Sequence, residues 1–376
     1  MRKTGNLVVG ITIAVLLLNM YLAGSANYQP DGQNIVLKEV GQVDTPGFAR
    51  DVVVRDGIAF VADMGTATDT YGGFFTYNVS DPSNPTLMGH FYDGGRAHQV
   101  VLQDSGTVFV ADNTGGLEII DVTDPWHPVK IGQYDGGSIN YFVVQESRYI
   151  YTADYTGGFV LILDAINQTH PVEIGRFSVE HAELIAVNSN LAYVSYDSGL
   201  IILNVTNPAN ITELTHHEFD VKRIQFNGNI AYMVCSRSRF EPADGFKIMD
   251  FSDPFNPVEI GSYHDGGHPV DLHVSGNTAI TSDLDDGIEV LNVSDTSNIT
   301  EIAGYHDGGD ASDIHVIGDL IYVADGADGL EIIRITYREA TNSSKVASLG
   351  FDLFLVTIML VSLLAVKRRK ERRNSE

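Results

Sequence analysis

The sequence predicts an all-β fold: a seven-bladed β-propeller closed by its N-terminal strand, with one transmembrane helix after it. Three observations predict the propeller. One phrase recurs seven times. A second phrase recurs out of phase with the first. A strand-like segment near the start stands alone, and the last repeat lacks the strand it would supply.

The first phrase reads GGFFTYNVSDP at 72–82 and GGLEIIDVTDP at 115–125, and it returns at 157–167, 198–208, 244–254, 286–296 and 328–338. Each copy is a turn, a strand of buried character and a second turn closed by an Asx residue and Pro. The third copy has one extra residue before Asp164, which predicts a bulge. The second phrase reads PVKIGQYDGG at 128–137, PVEIGSYHDGG at 257–267 and ITEIAGYHDGG at 299–309. Its aligned column, Gly41, Gly89, Gly132, Gly175, Thr215, Gly261 and Gly304, steps by 40 to 48 residues. Tight hairpins fill the space between, as in VVVRDGIAFVAD at 52–63 and IQFNGNIAYMV at 224–234. Asp-Gly and Asn-Gly between β-rich runs are strong hairpin signals. Four short strands in a unit of 40–45 residues describe a propeller blade. The orphan NIVLKEVGQVD at 34–44 matches the outer strand PTLMGHFYD at 85–93, so it is expected to complete the seventh blade and remove an open edge.

The ends carry an address. Arg2 and Lys3 precede an apolar run at 7–18 and the small residues Gly24, Ser25 and Ala26, so residues 1–26 read as a signal peptide. The propeller is expected over 34–338 and a stalk over 339–348. The apolar stretch 349–366 spans roughly 27 Å as a helix, close to a bilayer core. A basic tail follows at 367–376, which marks the cytoplasmic side. The expected location is the cell membrane, single-pass, with the N-terminal domain outside and the basic C-terminus in the cytoplasm.

The net charge is -26, and residues 27–345 hold 15 basic against 46 acidic residues. A surface of that sign argues against nucleic acid as a partner, because a phosphate backbone needs a basic footprint. The single cysteine, Cys235, excludes an intramolecular disulfide.

Taken together, LEIIDVTDP, RDGIAFVAD and PVKIGQYD resemble the LVIVD-repeat family of secreted and surface proteins over residues 34–337. The resemblance implies an extracellular propeller joined to one of several alternative cell-surface anchors. It implies no catalytic motif.

Candidate chemistry gathers on one face. Strand order places the loops that begin at Asp93, Asp135, Asp265 and Asp307 beside those that begin at Asp63, Asp112, Asp154, Asp197, Asp283 and Asp325. Asp-Gly suits turns, and clustered carboxylates suit hard cations, so Asp265 and Asp307 are candidate metal ligands. The inner strands start with a polar column, Asp51, Gln99, Tyr141, Glu183, Arg223, Asp271 and Asp313. Period-2 alternation puts His273 beside Asp271 and His315 beside Asp313. Those four residues could hold a transition metal, or they could bond across blades without one. Arg237, Arg239 and Phe240 in an extended loop form a candidate ligand-binding group for a carboxylate or sulfate. Asn342 is the most credible of seven glycosylation sequons.

No nucleophile elbow, HExxH, P-loop or dinucleotide-binding motif is present. The expected function is a membrane-anchored extracellular module that binds or scaffolds a surface protein or glycan. It requires no cofactor, with calcium or another divalent cation admitted. The alternatives are a metal-dependent surface hydrolase or lyase working at the channel mouth, and a structural coat component.

Overall fold

The computed structural model describes residues 34–338, apart from 67–71, 93, 104–105, 114, 137–139, 147, 198, 236–244 and 285. The expected signal peptide, stalk, transmembrane helix and tail lie outside the described residues, as do Arg237, Arg239, Phe240 and Asn342. No described helix is long and apolar enough to cross a membrane.

Seven four-stranded sheets follow one another along the chain. Blades 1 to 6 cover 49–91, 99–134, 140–178, 184–217, 221–263 and 269–305. Blade 7 takes its three inner strands from Asp313–Ile317, Leu320–Ala324 and Leu330–Arg338, and its outer strand is Asn34–Val43. The chain's first strand thus hydrogen-bonds to its last, and the ring closes as the orphan segment predicted. The only described helical turn is the 3-10 turn Pro208–Asn210.

Burial follows position in the blade. Thr107–Asp112 and Gly116–Asp121, second and third strands of blade 2, are buried along almost their whole length. They face a neighbouring sheet on each side, so both faces must be apolar. The outer strand Val129–Tyr134 is only partly covered and keeps Lys130 and Gln133. The core is a set of clusters between blades. At the closing joint, Val52, Val61 and Tyr77 of blade 1 pack with Tyr322, Leu330 and Ile332 of blade 7, and with Val40 and Val43 of the N-terminal strand.

The glycine column of the outer strands has a steric cause. A Cβ on Gly132 would stand 2.1 Å from the Gln168 carbonyl oxygen of the next blade, and one on Gly175 would stand 1.9 Å from that of Pro208. Gly41 repeats the relation with Pro82, 2.0 Å, across the closing joint. In blade 6 the register differs from the sequence alignment. Ala303, not Gly304, pairs with Val290 where Gly132 pairs with Ile119. Blade 7 has no Asx-Pro turn among the described residues to press against that position. The extra residue of the third copy makes no bulge: Phe159–Asp164 pairs with Tyr149–Asp154 in unbroken register, and the residue goes into the turn, where Asp154 faces Phe159 as Asp112 faces Gly116 in blade 2. A register shift belongs instead to the third-to-outer ladder of blades 1 to 6, where the outer strand carries the additional residue.

Candidate functional site

The inner strands run away from one face, and their first residues surround the axis there. Asp51, Asp271 and Asp313 are buried. Each accepts a backbone N–H from the inner strand of the following blade. Asp51 Oδ1 takes Val100 N at 3.3 Å, Asp271 Oδ2 takes Ile314 N at 2.9 Å, and Asp313 Oδ2 takes Val52 N at 3.1 Å. Gln225 makes a similar clamp from blade 5 to blade 6 with both the N–H and the C=O of Val274, each at 2.8 Å. The polar column therefore stitches blades together.

Arg223 of blade 5 sits among these carboxylates. Its Nε donates to Asp271 and its Nη2 to Asp313. Burial pushes the Asp51 carboxyl up to about 7 against the pull of Arg223. Burial and the neighbouring Asp51 and Asp271 raise Asp313 well above the carboxylate range. The guanidinium occupies the place where a cation is needed to hold carboxylates together.

Above this hub opens a cavity of about 470 Å³. Every blade contributes to its wall: Arg50 and Asp51 from blade 1, His98 from blade 2, Tyr155 from blade 3, Glu183 from blade 4, and Lys222 and Arg223 from blade 5. Blade 6 adds Val270, Asp271 and Leu284, and blade 7 adds Ser312 and Asp313. Lys222 bonds Glu183 at 2.7 Å and Asp220 at 3.1 Å. Burial, with Arg50 and Arg96 nearby, lowers His98 to about 4. Its ring is therefore neutral at physiological pH, and its Nε2 lies 3.2 Å from Nδ2 of Asn113. The mouth is polar, mixed in charge and fitted with an aromatic and an imidazole.

Of the predicted metal group, Asp271 and Asp313 meet at Arg223. His273 and His315 lie further along the same strands. Burial lowers both rings below the usual histidine value, and His273 is close enough for its charge to act on His315. Asp265 and Asp307 each close an Asx turn, accepting the N–H of Gly267 at 3.0 Å and of Gly309 at 3.1 Å. The two glycines of the Asp-Gly-Gly loops have separate reasons. The first is left-handed, at φ 111° for Gly266 and 102° for Gly308. The second has no room for a Cβ, which would fall 2.1 Å from Asp283 Oδ2 at Gly267 and 2.0 Å from Asp325 Oδ2 at Gly309. The two expected rings of carboxylates are thus one interlocked feature.

Among the described residues, one group of three acidic or imidazole side chains brings its ligand atoms within 4.8 Å of one another: Asp307, Asp325 and Glu331. Sequence reasoning named the first two and missed Glu331. The signal was present as a glutamate inside a buried strand, at the position of Glu118 and Glu289 in the repeated phrase. It also missed Arg50, His98, Tyr155 and Lys222, whose approach depends on ring closure rather than on local spacing.

A family model described as LVIVD repeat matches seven stretches of the chain, 46–93, 94–136, 143–179, 181–217, 220–265, 266–307 and 308–347. No curated protein matches it. Solved structures of the same fold include one titled Mitotic Checkpoint Complex, with a TM-score of 0.65, 13% identity, and 83% of this chain and 95% of that one covered. A catalytically inactive virginiamycin B lyase from Staphylococcus aureus with quinupristin gives 0.61 and 14%, over 80% of this chain and 100% of that one. The computationally designed Ika8 protein gives 0.58 and 11%, over 81% and 100%. At such identities the likeness is one of fold.

Proposed function

The chain belongs to the LVIVD-repeat family, and on that premise we propose that it is a membrane-anchored extracellular propeller that binds or scaffolds a partner at the channel mouth. The observation that carries this reading is the cavity to which all seven blades contribute. Polar pockets with convergent charged groups at the centre of a rigid scaffold are where ligands are held. The mixed charge fits a polar ligand, a loop of a surface protein or a glycan, with Tyr155 as a platform and Lys222 and Arg50 at the rim. The apolar run and basic cluster at the C-terminus support the anchor, and the N-terminal signal supports export.

The alternative, a metal-dependent hydrolase or lyase at the mouth, has less support. Asp271 and Asp313 each commit one oxygen to Arg223 and the other to a backbone N–H. A screen of glycan and peptide arrays with the detergent-solubilised full chain, with and without divalent cations, tests the proposal. Binding that Lys222→Glu removes supports it. Binding indifferent to that change, or turnover of a substrate, overturns it.

A further inference from the structure

In every blade but the fifth, where Cys235 stands there, an aspartate ends or directly follows the second strand, and its surroundings differ from blade to blade. In blade 1 Asp63 is fully buried and receives three backbone N–H groups, Gly47 at 2.9 Å, Phe48 at 3.0 Å and Gly65 at 2.7 Å. In blade 3 Asp154 receives Gly157 N at 2.7 Å. In blade 4 the partner is His181, held at φ 54°, whose Nδ1 bonds Asp197. In blade 7 Asp325 is only 2% exposed, and neither carboxyl oxygen has a hydrogen-bond partner among the described residues.

The glutamate column shows a matching difference. Glu118 of blade 2 bonds Lys130 Nζ at 2.9 Å. Glu289 of blade 6 takes Thr281 at 3.2 Å and hydrogen-bonds Asp265. Glu331 of blade 7 is buried and accepts the Tyr305 hydroxyl at 2.8 Å. The outer-strand position that holds Lys130 in blade 2 holds Glu39 here. Blade 7 therefore gathers two buried carboxyls and the exposed Asp307 with no basic partner among the described residues, where blade 2 supplies the amine of Lys130.

We propose that Asp307, Asp325 and Glu331 bind a hard divalent cation, calcium by preference, at the top of blade 7. The inference goes beyond the binding role of the mouth and uses none of the mouth residues. The donors are all oxygens, which suit calcium and magnesium rather than softer metals. The donor atoms all lie within 4.8 Å of one another, a span that calcium bridges at about 2.4 Å per bond, whereas magnesium gives up its water reluctantly to carboxylates alone. Exposed Asp307 gives the ion an entry from solvent. The ion would tie the loop leaving blade 6 to the second and third strands of blade 7, beside the closing strand.

The full chain in detergent, freed of metal by chelation and titrated with calcium chloride in a calorimeter, tests this. The expected result is one site per chain. Its affinity falls about tenfold or more in Asp325→Asn and in Asp307→Asn, and Glu289→Gln in blade 6 leaves it unchanged. Asp307→Asn keeps an oxygen for the Gly309 amide, so it decides the matter if Asp325→Asn does not fold. No calcium uptake by the folded wild type overturns the proposal. So does wild-type affinity in Asp307→Asn, or an equal rise in melting temperature from magnesium or matched sodium chloride, which is screening.

Discussion

Asp313 Oδ2 accepts the amide of Val52 at 3.1 Å, joining blade 7 to blade 1 at the place where the ring closes. Asp313 also takes Arg223 from blade 5, and Arg223 takes Asp271 from blade 6. One guanidinium thus balances carboxylates that each clamp a neighbouring strand.

Removing that charge strands the buried carboxylates. Arg223→Met is expected to cost about 3–5 kcal/mol at pH 8, the usual penalty for breaking a buried ion pair. The cost shrinks at pH 5, where Asp51 and Asp313, whose carboxyls are already raised, take up protons. Urea denaturation at the two pH values checks this. Equal costs at both would mean that Arg223 acts through packing alone.

The closing joint makes a second prediction. A methyl group at Gly41 meets the Pro82 carbonyl oxygen at 2.0 Å, so the strand or the turn must move. Gly41→Ala should destabilise by about 1–3 kcal/mol, as overpacking does. A denaturation midpoint unchanged from wild type would show that the N-terminal strand contributes nothing to the native ring.

The third prediction concerns pH. Burial, then its acidic neighbours, raises Asp325 to about 7. Burial, with Asp307, Asp325 and Glu39 around it and the Tyr305 hydroxyl opposing, raises Glu331 to about 8. The folded state keeps these protons after the unfolded chain has lost them, so stability is lost as pH rises from about 4 to 8. In chelator, the melting temperature should fall across that range, and Asp325→Asn should flatten the fall. Turn aspartates such as Asp81 and Asp121, lowered by Ser83 and Thr123, act in the opposite sense, below about pH 4. A melting temperature that rises from pH 5 to 8 in chelator would contradict the description of blade 7.

Topology gives a fourth. Protease added to intact cells should release the propeller in soluble form and leave the basic tail of 367–376 protected. Finding the propeller protected while the tail is cut would reverse the reading of the two ends.

The sequence displayed the fold well because a propeller is local. Six of the seven blades are each written in one continuous stretch, at a repeat of 40 to 48 residues, and the turn residues repeat in register. The closing strand was legible because its phrase, with Gly41 and Gln42, copies Gly132 and Gln133 of an outer strand. The one-residue slip between Gly304 and Ala303 shows the limit: alignment by glycine cannot see a packing partner that blade 7 lacks. The site was only partly legible. Asp271 and Asp313 stood out in a column, but that Arg223 would lie between them depends on how blade 5 faces blades 6 and 7. Asp63 and Asp325 look alike in sequence, and they differ because backbone amides reach one and not the other.

A partner held at the mouth of the channel, as proposed, lies within reach of Tyr155. A photo-crosslinking phenylalanine analogue placed at Tyr155, on cells carrying the full chain, tests that placement most directly. The same analogue at Trp126, in an exposed turn at the opposite end of the blades, is the comparison. The expected result is a crosslinked partner from position 155 and none from position 126. A partner captured from 126 and not from 155 would contradict it.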